Sequence, residues 1–285
     1  MNPPRLDRHT GHIRHVNNMT TWPEAILSYQ TTLTAVGRSS GTIRLKRYYL
    51  LRIAHLSERP SELTTEQLER YIATQEWAPE TTRSVLSTAR TFFAWAISRG
   101  VATTNPVDGI PPVTIPPAVA RPASDKDIAR ARKGTSDLRV KLMILLGATL
   151  GLRCCEISRI RESDWDGREL IVHGKGAKDR ALPVANVLLQ HTLNDLKPGE
   201  WLFPGHIDGH LSAAYVSKLL SRALPGTITG HQLRHRFATV SWDGTHDLLA
   251  VSAALGHAKP ETTKRYIRIH DASLIAAVEA ADIAA

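Results

Sequence analysis

Six side chains spread over residues 153–266 are of the kinds that handle a phosphate group: Arg153, Lys175, His231, Arg234, His257 and Tyr266. Arginine offers planar, paired donors that never lose their charge, and imidazole moves protons near neutral pH. A phenol can attack phosphorus and hold it as an ester. His231 and Arg234 stand three apart, so on one helix they share a face and can grip a single small anion. Arg153 follows a Gly151-Leu152 turn at an expected helix start, another place that favours anions. Lys175 lies between Gly174 and Gly176 at an expected hairpin tip. His257 follows Gly256 at a helix end, and Tyr266 lies nine residues on, beside Lys264, Arg265 and Arg268. Singly, each has a plainer reading. Arg153 pairs with Glu156, His231 lies on a helix surface, or Tyr266 packs at a helix end, since ion pairs of purely structural use are common.

Chemistries that need other equipment are not indicated. The chain has neither a Walker loop nor a dinucleotide fingerprint, so neither ATP nor NAD is expected. His231 and His235 have the spacing of a zincin pair, but Gln232 stands where the glutamate base belongs and no third ligand is suggested. Cys154 and Cys155 are the only cysteines; being adjacent, they neither staple a fold nor complete a zinc site. No cofactor and no metal is expected. The net charge of +9, from 36 Lys and Arg against 27 Asp and Glu, suits a polyphosphate partner, because neutralised phosphates release counterions. No apolar run reaches the roughly 18 residues of a membrane helix. Residues 1–18 are polar, without the apolar centre of a signal peptide, and a cytoplasmic location is expected.

The elements that must position these groups fall on either side of one boundary. Ile110-Pro111-Pro112-Val113-Thr114-Ile115-Pro116-Pro117 places four prolines in eight residues, an extended and semi-rigid connector. The expected organisation is a flexible segment 1–18, a helical domain 19–109, a linker 110–122, a catalytic domain 123–270 and a tail 271–285. In the first domain, helices are expected at 22–35, 41–56, 65–73 and from Pro79 to about Gly100. Thr64 and Gln67 form a capping box for the third, and Val85, Ala89, Phe92 and Ala96 make the apolar stripe of the fourth. In the second, Leu45, Tyr49, Ile53 and Leu56 are expected on one side. The second domain is mixed, with helices at 137–149, 153–160, 186–196, 212–223, 230–241, 247–255 and 260–267. Strands at 169–173 and 180–184 flank Gly174-Lys175-Gly176-Ala177-Lys178-Asp179, a hairpin with a charged tip. The fold class is mainly α with a small β-hairpin.

Taken together, these pieces resemble the tyrosine recombinase, or phage integrase, family. Gly147-Ala148-Thr149-Leu150-Gly151-Leu152-Arg153-Cys154-Cys155-Glu156-Ile157 is similar to the family's first box, with its arginine and helix glutamate. The glycine-bracketed turn resembles its lysine-bearing hairpin. His231-Gln232-Leu233-Arg234-His235-Arg236-Phe237-Ala238-Thr239 is similar to the His-x-x-Arg box, and Leu255-Gly256-His257 with Tyr266 to the last. The first-domain helices resemble the family's core-binding domain more weakly. Two departures stand out. Cys154-Cys155 replaces a smaller or aliphatic pair, and the segment before the first helix is shorter than the arm-binding domain of large phage integrases.

The resemblance implies a site-specific recombinase that cuts and rejoins DNA through a 3′-phosphotyrosine. Tyr266 is then the nucleophile, Arg153 and Arg234 clamp the phosphate, and His257 adds a donor. His231 moves the tyrosine proton, and Lys175, with Lys178 as competitor, is the general acid. DNA contacts are expected at Arg44, Lys46, Arg83, Arg90, Lys178 and Arg180. The two domains would close as a clamp on double-stranded DNA, without a metal. Four protomers would meet on two sites, the tail packing on a neighbour through Ile275, Val278 and Ile283, with a directionality factor or host DNA-bending protein as further partners. Two alternatives remain: a type IB topoisomerase-like enzyme working on one duplex, or a catalytically silent DNA-binding protein of the same fold.

Overall fold

A computed structural model describes residues 20–115, 121–174 and 179–257 of the chain. The chain divides into two units, Met1–Pro117 and Ala118–Ala285, within the proline-rich stretch.

The first unit holds α1 (Trp22–Ala35), α2 (Ser40–Ile53), α3 (Thr65–Ala73) and α4 (Pro79–Ser98). Local chemistry starts each helix. The Thr21 backbone N–H donates to Glu24 at 2.8 Å, Ser39 caps α2, and Thr64 exchanges hydrogen bonds with Gln67 at 2.9 and 3.2 Å. Pro79 opens α4 with its φ already helical. The expected stripe Val85, Ala89, Phe92 and Ala96 is buried, and Phe92 is the centre of an aromatic cluster. Its ring stacks on Trp22 at 5.6 Å and meets Tyr29 and Phe93 edge-on at 5.4 and 5.2 Å.

The expected face of residues 41–56 is borne out at Tyr49, Ile53 and Leu56, which pack on the core, and corrected at Leu45. Leu45 is exposed, whereas Leu50 and Ile53 are buried. The inward face runs through Lys46, which keeps its stem in the bundle and donates from Nζ to Thr91 at 2.7 Å.

The second unit holds α5 (Asp125–Gly134), α6 (Leu138–Thr149), α7 (Cys154–Ile157), β1 (Glu169–Val172), β2 (Arg180–Pro183), α8 (Val187–Asn194), α9 (Ala213–Ala223), α10 (Gly230–Thr245) and α11 (Leu248–Leu255). Helix α6 is apolar on nearly all sides and therefore central, with α5, α7, α8, α9 and α10 packed about it. Gly147 lets α10 approach α6 closely, since a Cβ there would come 3.0 Å from Leu233. The antiparallel strands register Glu169 with Pro183 and Val172 with Arg180. Leu170, Val172 and Leu182 face the core, and Ile171 faces out.

Several elements differ from expectation. Helix α5 was not anticipated; Ser124 caps it, but it buries only Ile128 and Ala131. Helix α7 stops at Ile157, and α10 runs one turn further, to a left-handed His246. The expected helix 260–267 lies outside the described residues. Among the described residues no helix is long and apolar enough to cross a membrane.

Candidate active site

Arg153 is the residue before α7, reached through Gly151 at φ +65°. One turn into α7, the Glu156 carboxylate is 3% exposed and becomes the meeting point of three arginines. Its Oε1 accepts from Arg153 Nη1 at 2.8 Å, and its Oε2 from the Arg153 backbone N–H at 2.8 Å. Arg180 Nη1 and Nη2 donate to Oε1 and Oε2 at 3.2 and 3.1 Å. Arg234 Nη1 stands 3.8 Å from Oε2.

Burial pushes the Glu156 carboxyl up. The hydrogen bonds from Arg180 and the Arg153 N–H, with the two positive charges, outweigh it and hold the group below the usual glutamate range. A buried carboxylate so surrounded stays ionised and fixes the guanidiniums around it.

Two of these arginines, Arg180 and Arg234, also close the end of α11. A helix leaves its last carbonyls without intrahelical partners. Here Arg180 Nε donates to the Ala254 carbonyl at 2.7 Å, and Arg234 Nη2 donates to that of Leu255. Arg234 Nη1 also donates to the Gly151 carbonyl, tying α10 to the turn before Arg153. Gly256 turns the chain at φ +61°, and a Cβ there would lie 2.8 Å from Arg180 Nη1. His257 follows, its backbone N–H donating to the Ser252 carbonyl at 3.1 Å. Glycine is required at that corner.

His231 and Arg234 lie on α10, whose start is capped by Thr229 with Gln232. Arg234 is 2% exposed, while Arg153 is 40% exposed. The His231 ring meets the buried His235 ring at 4.2 Å. Among the described residues no group of three His, Cys, Asp or Glu is placed to hold a metal.

Arg153, His231, Arg234 and His257 thus come from three separate segments that share the Arg180–Glu156 pair and the end of α11. Lys175, Lys178 and Tyr266 lie outside the described residues. Arg180, expected as a DNA contact, is instead only 10% exposed and turned inward. Glu156 was recognised as a helix glutamate but not as the group uniting the site. Its three-residue spacing from Arg153 was the available signal. In the first unit, Arg83 and Arg90 are exposed beside a cleft that Lys46, Thr42, Ser84 and Ser87 also line, and Arg44 is exposed elsewhere on α2.

Comparison with known proteins gives concordant findings. The family model for the phage integrase family matches residues 125–273. The tyrosine recombinase XerC of Salmonella typhi is 32% identical over 219 residues, covering 69% of this chain and 71% of that protein. A lambda integrase dimer bound to a COC′ core site is similar with a TM-score of 0.72 at 20% identity, covering 88% of this chain and 100% of that one. A lambda integrase tetramer bound to a Holliday junction is similar at 0.69 and 19% identity, over 86% of this chain and 79% of that one. At those identities the structural likeness is one of fold.

Proposed function

The chain belongs to the phage integrase family and is a site-specific DNA recombinase that breaks and rejoins strands, and we propose that Tyr266 is the group that joins the DNA covalently. The Tyr266 oxygen forms a bond to the scissile phosphorus, the bond to the 5′-oxygen breaks, and a 3′-phosphotyrosine results. The phosphoester energy is retained, so a 5′-hydroxyl from the partner strand reverses the step without ATP.

Each remaining residue has a place in this proposal. Arg153 and Arg234 hold the non-bridging oxygens as negative charge builds. His257 gives a further hydrogen bond, and His231 takes the phenol proton. Lys175 protonates the departing 5′-oxygen, with Lys178 as its competitor. Arg44, Arg83 and Arg90 meet the DNA backbone from the first unit. Four protomers assemble on two sites, a reading supported by the likeness to a lambda integrase tetramer bound to a Holliday junction.

The observation that supports this most is the convergence of Arg153, Arg180 and Arg234 on the buried Glu156. A structural ion pair needs one arginine. Three around one carboxylate leave a local excess of positive charge beside His257.

The test is to trap the protein on a nicked attachment site and map the DNA-linked peptide by mass spectrometry. The adduct is expected on Tyr266 and is lost in Y266F. An adduct elsewhere, or none, defeats the proposal. Resolution of Holliday junctions carrying paired sites separates this reading from a topoisomerase that needs a single duplex.

A further inference from the structure

At the root of the β1–β2 hairpin both ring nitrogens of His173 face carboxylates. Nδ1 lies 2.9 Å from Asp179 Oδ2, and Nε2 lies 3.0 Å from Asp164 Oδ1. A neutral imidazole carries one N–H and one lone pair, so it can donate to only one of them. The other contact would then set a lone pair against a carboxylate oxygen. Both short contacts are satisfied together when the ring is an imidazolium.

The surroundings favour the charged ring. Asp164 ends a 3-10 turn, Glu162–Asp164, and its side chain is 4% exposed. Its Oδ2 accepts the Arg161 backbone N–H at 3.0 Å, and Arg161 Nε stands 3.6 Å from Oδ1. Asp179 is 51% exposed. The charged groups facing this cluster among the described residues are therefore Asp164, Asp179 and, behind Asp164, Arg161. The hydrogen bond to Asp164 raises His173 above its ordinary value; burial opposes this, and Asp179 adds to it.

The contacts join three places in the chain. The last registered pair of the hairpin is Val172 with Arg180, and His173 and Asp179 are the next residues on each strand. Asp164 ties His173, and through it Asp179, to the 3-10 turn. Lys175 follows two residues after His173, outside the described residues. Resting on the recombinase reading above, we propose that His173 is a positioning residue whose imidazolium, clasped between Asp164 and Asp179, fixes the hairpin ends that present Lys175 to the leaving 5′-oxygen. When the ring loses its proton, one carboxylate is left without its donor and the hairpin ends lose a tie.

The experiment is single-turnover cleavage of nicked attachment-site DNA by the full-length protein, from about pH 6 to about pH 9, the range in which imidazoles titrate. H173Q keeps an amide donor without charge, and H173R keeps a charge throughout. At the acid end H173Q is expected to be about tenfold slower than wild type, a part of the 10²–10⁴ that general acid catalysis supplies. The ratio of wild-type to H173Q rates falls toward one as pH rises, which removes the titrations common to both, those of His231 and His257 included. The ratio of H173R to H173Q stays level.

A second substrate carries a sulfur at the 5′-bridging position, which departs as a thiolate and needs no proton. The H173Q deficit is expected to close on it. A pH-independent ratio, or an equal deficit on both substrates, overturns the proposal. If H173Q does not fold, D179N removes one carboxylate from an exposed position and is read in the same way. A wild-type protein that cleaves neither substrate defeats the recombinase reading itself.

Discussion

Arg180 meets Glu156 fork to fork, Nη1 to Oε1 at 3.2 Å and Nη2 to Oε2 at 3.1 Å, while its Nε–H is given to the Ala254 carbonyl. Three donors of one planar group thereby join β2, α7 and the end of α11. Only a guanidinium has that geometry; an ammonium cannot reproduce the fork and the third bond together. Glu156 is buried and Arg180 is only 10% exposed, so removing the arginine takes a close partner from a buried charge. Glu156 keeps Arg153, which places R180A at the low end for a broken buried pair, a loss of about 3 kcal/mol. R180K should recover less than half. Equilibrium urea denaturation checks this, and equal stability of R180K and wild type counts against it.

Gly256 is held to its place from two sides. Its φ of +61° disfavours any side chain, and a Cβ would press on Arg180 at 2.8 Å. G256A should therefore cost about 1–2 kcal/mol in backbone strain. It should also shift Arg180 and the neighbouring His257. Strand cleavage is expected to fall at least tenfold, since small displacements of positioned groups cost rates of that order or more, with DNA affinity nearly kept. Gel-shift titration beside a cleavage assay separates the two effects; parallel losses in both would contradict this account.

The Glu156 carboxyl ties stability to pH with a definite sign. Its folded value lies below the ordinary 4.5, so the unfolded chain binds more protons in that window. The stabilisation it gives is present above 4.5 and is lost as pH falls through the depressed value. E156Q should be the less stable protein near neutrality, and the gap should narrow as the solution is acidified. Denaturation curves of both proteins from about pH 7 to about pH 3 would show it. A gap that widens toward acid is the contrary result.

Local signals were legible where a residue and its partner lie close in sequence. The Thr64–Gln67 box and Pro79 marked their helix starts, and the stripe from Val85 to Ala96 marked the buried face of α4. Four motifs in order supplied the residues proposed above as the catalytic set. Helix α5 escaped because two buried side chains make no stripe, although Ser124 and Asp127 do form a cap. The end of α10 is expected at Ser241, yet the helix continues through Gly244 to Thr245. Arg180 escaped for a different reason. Strand alternation says which face a residue takes, not that its partners lie 24 and 74 residues away. The His173 clasp is of the same kind, since spacing shows neither that Asp164 is buried nor that it turns toward the ring.

The basic residues of the first unit separate into two kinds, with different consequences for DNA binding. Arg83 and Arg90 are exposed and seven apart on α4, two turns along one face. Lys46 is half-buried, donates to Thr91 at 2.7 Å and stands 5.9 Å from the Tyr29 ring centre. Burial, with Arg38 nearby, holds its ammonium below the usual lysine range. A phosphate contact releases counterions and adds about 0.9 to the slope of log affinity against log salt. Replacing Arg83 and Arg90 with alanine should therefore lower that slope by about 1.8 and weaken binding similarly to any duplex. K46A should leave the slope unchanged and instead lower stability by about 1 kcal/mol, through the lost hydrogen bond and the space left by its stem. Fluorescence anisotropy over a salt series, with urea denaturation alongside, distinguishes the two kinds. If K46A flattens the slope as much as R83A does, Lys46 reaches phosphate and its inward placement does not describe the DNA-bound protein.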